Sequence, residues 1–423
     1  MLTIPENRLL TQTGPGTPMG TLFRRHWLPA MLSSELPAPD APPTRLTLLS
    51  ESLVAFRDTQ GRIGIVESYC PHRGANLFWG RNEQSGLRCV YHGWKYDVTG
   101  ACVDMPNEPS ESMFKDKVSI TAYPTREAGG VVWVYMGPPE LTPDMPQLEW
   151  TLVPESHVYL HKRIQRNNYL QNVEGEIDSA HVSFLHRDVS REGMGNVLGQ
   201  AVMQGSQDAA PQFNVRETDY GLLVGARRFH DDDHYYWRIT QYLTPAYTMI
   251  PTQPGFPVSF TAAIPIDDEH MWGYTVTWHP DRPLTADEIA SIESWRGVYT
   301  ENLPGSFETA LNMENDYKID RELQRTVSYT GIRGIREQDL AVQEDQWGPI
   351  TDRTREHLGT TDLAVITMRR KLLRQIEDLE KGIEPAELSD GAAYRVRSAA
   401  FVAPKDTVWY EAEQAREWMS PAS

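Results

Sequence analysis

The sequence predicts an α+β protein of two domains: a small antiparallel β domain, then a larger domain with a twisted antiparallel sheet covered by helices. Three observations carry this expectation. The 423 residues exceed what a single hydrophobic core usually serves. Short strands and tight turns fill residues 53–138, whereas longer alternating runs mixed with helical periods fill the second half. Proline-rich stretches at residues 36–43 and 137–143 bound the first region, and such composition marks domain borders. The expected division is residues 1–149 and residues 150–423.

The elements follow in order. Residues 53–57 and 63–66 flank Asp58-Thr59-Gln60-Gly61, and residues 95–97 and 101–103 flank Val98-Thr99-Gly100, so both read as hairpins. A short helix is expected over about residues 170–185. Strands are expected over residues 221–227, 235–240 and 272–278, which are rich in β-branched and aromatic side chains. A longer helix over residues 362–381 sets Leu363, Ile366, Leu373, Ile376 and Leu379 at helical spacing after a Thr360-Thr361 capping pair.

The formal charge of −18 argues against nucleic acid or an anionic membrane as the main partner, since both attract basic surfaces. An anionic substrate must then be held by local cations. Apolar runs such as Gly130-Val131-Val132-Trp133-Val134-Tyr135-Met136 fall far short of the roughly 20 residues of a membrane span. The opening Met1-Leu2-Thr3-Ile4-Pro5-Glu6-Asn7 has no signal-peptide pattern, so a soluble cytoplasmic protein is expected. Three cysteines, Cys70, Cys89 and Cys102, fit a reducing compartment rather than a disulfide scaffold.

Two of these cysteines stand in paired motifs, Cys70-Pro71-His72-Arg73-Gly74 and Cys89-Val90-Tyr91-His92-Gly93-Trp94. Each offers one thiolate and one imidazole on a loop after a strand. A 2Fe-2S cluster with two cysteines on one iron and two histidines on the other needs that supply, and its imidazoles set a potential of about −150 to +300 mV. Gly74 and Gly93 are expected to let the loops approach the cluster and donate N–H bonds to its sulfurs. The alternative is a Cys2His2 zinc site, but that usually pairs like with like on each segment. Cys102 has no matching histidine and reads as a small core residue.

The phrases Cys70-Pro71-His72-Arg73-Gly74-Ala75 and Cys89-Val90-Tyr91-His92-Gly93-Trp94-Lys95-Tyr96 resemble the paired loops of Rieske ring-hydroxylating oxygenases. The resemblance implies a terminal oxygenase subunit with the cluster on Cys70, His72, Cys89 and His92 and a mononuclear Fe(II) in the second domain, and residues 347–362 are similar to the C-terminal part of its phthalate dioxygenase-like branch, which includes aryl O-demethylases.

Asp178, His181 and His186 stand in the second half. On a helix Asp178 and His181 share a face, but His181 and His186 diverge by roughly 140°. Both reach one metal only if the helix loosens or breaks between them. Two histidines and one carboxylate form a facial triad that leaves iron positions open for dioxygen. The resemblance places the histidine ligands at His181 and His186 and points to Asp339 as the carboxylate, with Asp345 as the alternative. It also implies that Asp178 is a bridge to a cluster histidine, matching His92, of a neighbouring subunit, hence a homotrimer or stacked trimers. Relatives often carry Asn where Glu174 stands, and Glu174 reads as a solvated helix residue.

The implied activity takes electrons from a separate NAD(P)H-dependent reductase and uses O2 to dihydroxylate an aromatic carboxylate such as phthalate. The alternatives are O-demethylation of a methoxylated aromatic acid and, in another class, a Rieske electron-transfer protein. A carboxylate calls for a guanidinium fork. Arg227, Arg228 and Arg238 stand on expected strands, and side-chain alternation lets at most one of the first two face the site. Val182 and Phe184, beside the histidines, are candidates for an apolar wall.

Overall fold

The computed structural model describes residues 1–187 and 208–420. The chain forms two compact units, Thr13–Pro143 and a second made of Met1–Gln12 with Asp144–Ser423.

The first unit consists of three small antiparallel sheets. One pairs Thr44–Leu48, Glu51–Arg57, Ile63–Glu67 and Ala122–Tyr123; another pairs Arg81–Glu83, Gly86–Arg88, Lys95–Tyr96 and Cys102–Asp104. Both expected hairpins are present, Leu53 opposite Glu67 in one and Tyr96 opposite Cys102 in the other. The first cysteine loop follows Ile63–Glu67, and the second joins Gly86–Arg88 to Lys95–Tyr96. A core of Val54, Phe56, Leu77, Leu87 and Tyr96 backs both loops, and Cys102 is buried in it as the sequence suggested.

The second unit holds an eight-stranded antiparallel sheet. Its order is Val158–Gln165, Met271–Trp278, Val258–Pro265, Tyr247–Ile250, His234–Leu243, Gly221–Phe229 and Gln212–Thr218, with Ala399–Pro404 added beside His234–Leu243. The three strands read from the sequence all lie in it. Helix Tyr169–Ile177 packs on Tyr247–Ile250 and Val258–Pro265 through Tyr169, Leu170, Val173 and Ile177.

Three local expectations are corrected. The N-terminal helix Ile4–Thr11 belongs to the second unit, because Tyr169 donates its hydroxyl to the Leu10 carbonyl and Asn168 donates its amide to that of Thr11. The helix expected over residues 170–185 ends at Ile177: Asp178 turns to extended backbone (ψ 105°) and a 3-10 turn follows at His181–Ser183. Helix Leu363–Glu380 buries Ala364, Val365, Met368, Leu372 and Ile376, leaving Leu363 exposed, because the inward stripe runs through Val365, Met368, Leu372 and Ile376 at helical spacing. Asp362, not the threonine pair, closes the preceding 3-10 turn at Thr360–Asp362 by accepting the Gly359 amide.

Helix Ile335–Gln343 is docked onto Tyr169–Ile177 by close approach. A Cβ at Gly175 would lie 2.3 Å from Gln343 Nε2, so a larger residue there would push the Gln343 carboxamide out of its place between the helices. Gln171 Nε2 donates to the Gln343 carbonyl (2.7 Å), and Gln165 Nε2 to Gln343 Oε1 (2.9 Å). Gly334, at φ +89°, starts the helix in a conformation other residues resist.

Candidate functional site

The two cysteine loops of the first unit have the same backbone pattern. The Cys70 amide donates to the Ala75 carbonyl (2.9 Å) and the Gly74 amide to the Cys70 carbonyl (2.9 Å); Cys89 to Trp94 (2.8 Å) and Gly93 to Cys89 (3.0 Å) repeat it. Gly74 and Gly93 have φ of +70° and +83°, which the tight loops require. Their own amides close the two loops on the cysteine carbonyls.

Cys70 and Cys89 are buried, and the rings of His72 and His92 stand 4.4 Å apart. The Tyr96 hydroxyl lies 3.3 Å from Cys70 Sγ, and Trp94 stacks on His72 at 4.4 Å. His72 Nδ1 is buried and has no hydrogen-bond partner, an orphaned nitrogen that fits a metal-ligating imidazole. Two thiols and two imidazoles on mirrored loops can hold the 2Fe-2S cluster that their residue types suggested.

The second centre forms where the chain leaves helix Tyr169–Ile177. Asp178 Oδ1 accepts the Ala180 amide (2.6 Å), turning the chain. Ser179 accepts from two buried arginines, and these bonds anchor the segment that carries the histidines. The break brings His181 Nε2 to 3.2 Å from His186 Nε2. Helix Ile335–Gln343 adds Asp339, whose Oδ1 lies 3.1 Å from His186 Nε2 and 3.7 Å from His181 Nε2. One ligand atom from each residue falls within 4.8 Å of the others, so the three can hold one metal ion. Asp345, the alternative carboxylate, is exposed beyond the end of that helix.

The surroundings keep these groups oriented. Asp178 Oδ2 lies 3.4 Å from His181 Nδ1, and Gln338 Oε1 lies 2.8 Å from His186 Nδ1, so both imidazoles turn Nε2 toward Asp339. Arg336 pairs with Glu176 and stands 3.5 Å from Asp339 Oδ2. Burial alone would raise the Asp339 carboxyl, but His186, Arg336 and His181 outweigh it and hold it at about 2. The sequence reading missed Arg336, Glu176 and Gln338; the i,i+3 spacing of Arg336 and Asp339 was the one local signal that pointed to the first of them.

A cavity of about 480 Å³ opens beside His181, walled by Phe184, Leu185, Tyr329, Thr330 and Ile332. Phe184 thus takes the expected place on the wall, whereas Val182 is buried elsewhere. Arg227 faces away, bonded to Gln212 and lying over the Tyr235 ring at 4.5 Å. Arg228 and Arg238 share the opposite face and meet at Ser179 Oγ, at 3.1 and 3.2 Å. Burial and the neighbouring Arg238 push Arg228 down to about 10. Neither guanidinium belongs to the described wall of the 480 Å³ cavity.

Comparison with known proteins gives these centres a context. Residues 26–124 match the Rieske [2Fe-2S] domain, and residues 134–423 match the family described as LigXa C-terminal domain like. The chain belongs to the Rieske oxygenases. The zinc alternative falls to the Rieske match over residues 26–124, and the reading as an electron carrier alone falls to the LigXa-type match over residues 134–423. The 3-chlorobenzoate-3,4-dioxygenase oxygenase subunit of Comamonas testosteroni is 38% identical over 97% of this chain and 98% of its own. The phthalate 4,5-dioxygenase oxygenase subunit of Pseudomonas putida is also 38% identical, over 99% and 96%. The 5,5'-dehydrodivanillate O-demethylase oxygenase subunit of a Sphingobium species is 32% identical over 91% and 83%. Among solved structures, dicamba monooxygenase bound to 3,6-dichlorosalicylic acid aligns with a TM-score of 0.61 at 18% identity, over 85% of this chain and 99% of that one, a likeness of fold. As a Rieske oxygenase the chain carries a 2Fe-2S cluster and a mononuclear iron and takes electrons from a reductase or ferredoxin. Among the described residues no helix is long and apolar enough to cross a membrane.

Proposed function

We propose that this oxygenase dihydroxylates an aromatic carboxylate of the phthalate or chlorobenzoate kind, with electrons from an NAD(P)H-dependent reductase. When bound, the cluster on Cys70, His72, Cys89 and His92 supplies electrons, and the iron on His181, His186 and Asp339 activates dioxygen. His181, His186 and Asp339 would hold the ion with three ligand atoms, a number that would leave positions for dioxygen. The apolar cavity beside His181 suits an aromatic ring.

The observation that carries the carboxylate is the buried pair Arg228 and Arg238, which converge on Ser179, two residues before His181. Two adjacent cations in a low-dielectric setting give the site a positive field that favours an anionic substrate. This field is local, since the chain as a whole carries −18. Incubation with reductase, NADH and phthalate or 3-chlorobenzoate tests the reading: it predicts a cis-diol and no formaldehyde.

The O-demethylase relative favours a second reading, in which the ring carries a methoxyl group and the products are formaldehyde and a phenol. We further propose that the oxygenase is a homotrimer or stacked trimers in which Asp178 bridges His181 to His92 of the partner subunit. Asp178 is suited to this, being 3.4 Å from His181 with its carboxyl held below the ordinary value: burial would raise it, but His181 and the Ala180 amide outweigh that. Light scattering on the purified protein distinguishes a trimer or hexamer from a monomer.

A further inference from the structure

His181 and His186 have different partners behind them. His181 turns Nδ1 toward a carboxylate, Asp178, whereas His186 turns Nδ1 toward a neutral carboxamide, that of Gln338. Gln338 immediately precedes Asp339 in helix Ile335–Gln343 and is buried, 7% exposed.

The carboxamide has one arrangement that satisfies both of its ends. Its Nε2 donates to the Ile332 carbonyl at 2.9 Å, so the atom 2.8 Å from His186 Nδ1 is Oε1. An amide oxygen only accepts, so Nδ1 of His186 must carry the proton. The other nitrogen, Nε2, is then unprotonated, and it is the one that lies 3.2 Å from His181 Nε2 and 3.1 Å from Asp339 Oδ1.

We propose that Gln338 is a positioning residue that fixes the His186 tautomer and ring angle and so presents Nε2 to the mononuclear metal. The inference rests on the reading of His181, His186 and Asp339 as the metal ligands. Partners of this kind set which imidazole nitrogen is free to ligate, and their loss typically weakens metal binding by about 10- to 100-fold. The Ile332 carbonyl that anchors Gln338 belongs to a residue whose side chain walls the 480 Å³ cavity, so the same amide ties that wall to His186.

The test is Co(II) binding by equilibrium dialysis, on the full chain with its cluster intact and its mononuclear metal removed by chelation. Gln338→Leu removes donor and acceptor together and is expected to weaken Co(II) by about 10- to 100-fold. Gln338→Glu keeps an acceptor for His186 and is expected to restore most of the affinity. Wild-type affinity in Gln338→Leu would overturn the proposal. Equal losses in both variants would also overturn it, since helix packing and not the acceptor would then matter. His186→Ala separates this from the underlying reading: if that variant binds Co(II) as the wild type does, the metal site itself is misassigned.

Discussion

His181 and His186 place their Nε2 atoms 3.2 Å apart although five residues separate them. On a continuous helix the two side chains would point roughly 140° apart. The chain solves this by ending the helix at Ile177 and re-forming as a single 3-10 turn, with Ser179 held by Arg228 and Arg238. The convergence has direct consequences for metal content: His181→Ala and Asp339→Ala should each lose the mononuclear iron and all oxygenase activity while the cluster spectrum stays unchanged. Iron analysis of the purified variants checks this.

Asp178 touches His181 without being one of the three ligands. Asp178→Asn should leave both metals bound and lower turnover by at least about 100-fold, because the charge behind His181 is lost. Rapid-freeze EPR of the pre-reduced variant mixed with substrate and O2 is expected to show the cluster staying reduced. Normal oxidation of the cluster would remove the bridge from the account.

Arg238 donates to Ser179 from a buried strand position. Arg238 does not line the cavity, so it acts on a substrate carboxylate through its charge and not through a direct bond. Arg238→Met should therefore raise KM for an aromatic carboxylate by up to about 10-fold, with a smaller effect on kcat. Arg238→Lys keeps the charge and should recover most of that loss. Steady-state kinetics with the acid and its neutral amide separates a carboxylate effect from a general one.

Glu174 was read from the sequence as solvated. It is instead clamped between two buried arginines, with Arg353 Nη2 at 2.8 Å and Arg369 Nε at 2.6 Å. Glu174→Ala leaves two buried cations short of a partner and should cost about 3–5 kcal/mol in a urea unfolding experiment. Relief by a second change, Arg353→Met, would show that the loss is electrostatic.

Glu288 caps helix Ala286–Ile292, accepting from Arg282 and from the Thr285 amide. These bonds hold its carboxyl at about 2, against an ordinary 4.5. The folded form binds its proton more weakly than the unfolded one, so its stabilisation is full above about pH 4.5 and fades as pH falls toward 2. Glu288→Gln should lower Tm at pH 7, and the gap to wild type should close over that window.

What the sequence revealed depended on distance along the chain. The cluster loops were legible as candidates because Cys70, His72, Cys89 and His92 stand in two short motifs, and His181 with His186 because they share one segment. Asp339 was reached through resemblance alone, since only the docking of its helix through Gly175 and Gln343 brings it to the histidines. Gln338 and the two arginine partners of Glu174 were not legible for the same reason: each acts across a packing contact between distant segments, as Arg336 does toward Glu176. The buried face of helix Leu363–Glu380 was misplaced because a stripe through Leu363, Ile366 and Leu373 and one through Val365, Met368, Leu372 and Ile376 both fit helical spacing, and only packing chooses between them.

The measurement that tests the central claim most directly is iron and acid-labile sulfide per chain, combined with EPR of the dithionite-reduced protein. About three irons and two sulfides with a Rieske signal are the expected result, one iron beyond the cluster belonging to His181, His186 and Asp339. Two irons and two sulfides that stay at two after anaerobic incubation with Fe(II) would contradict the mononuclear centre.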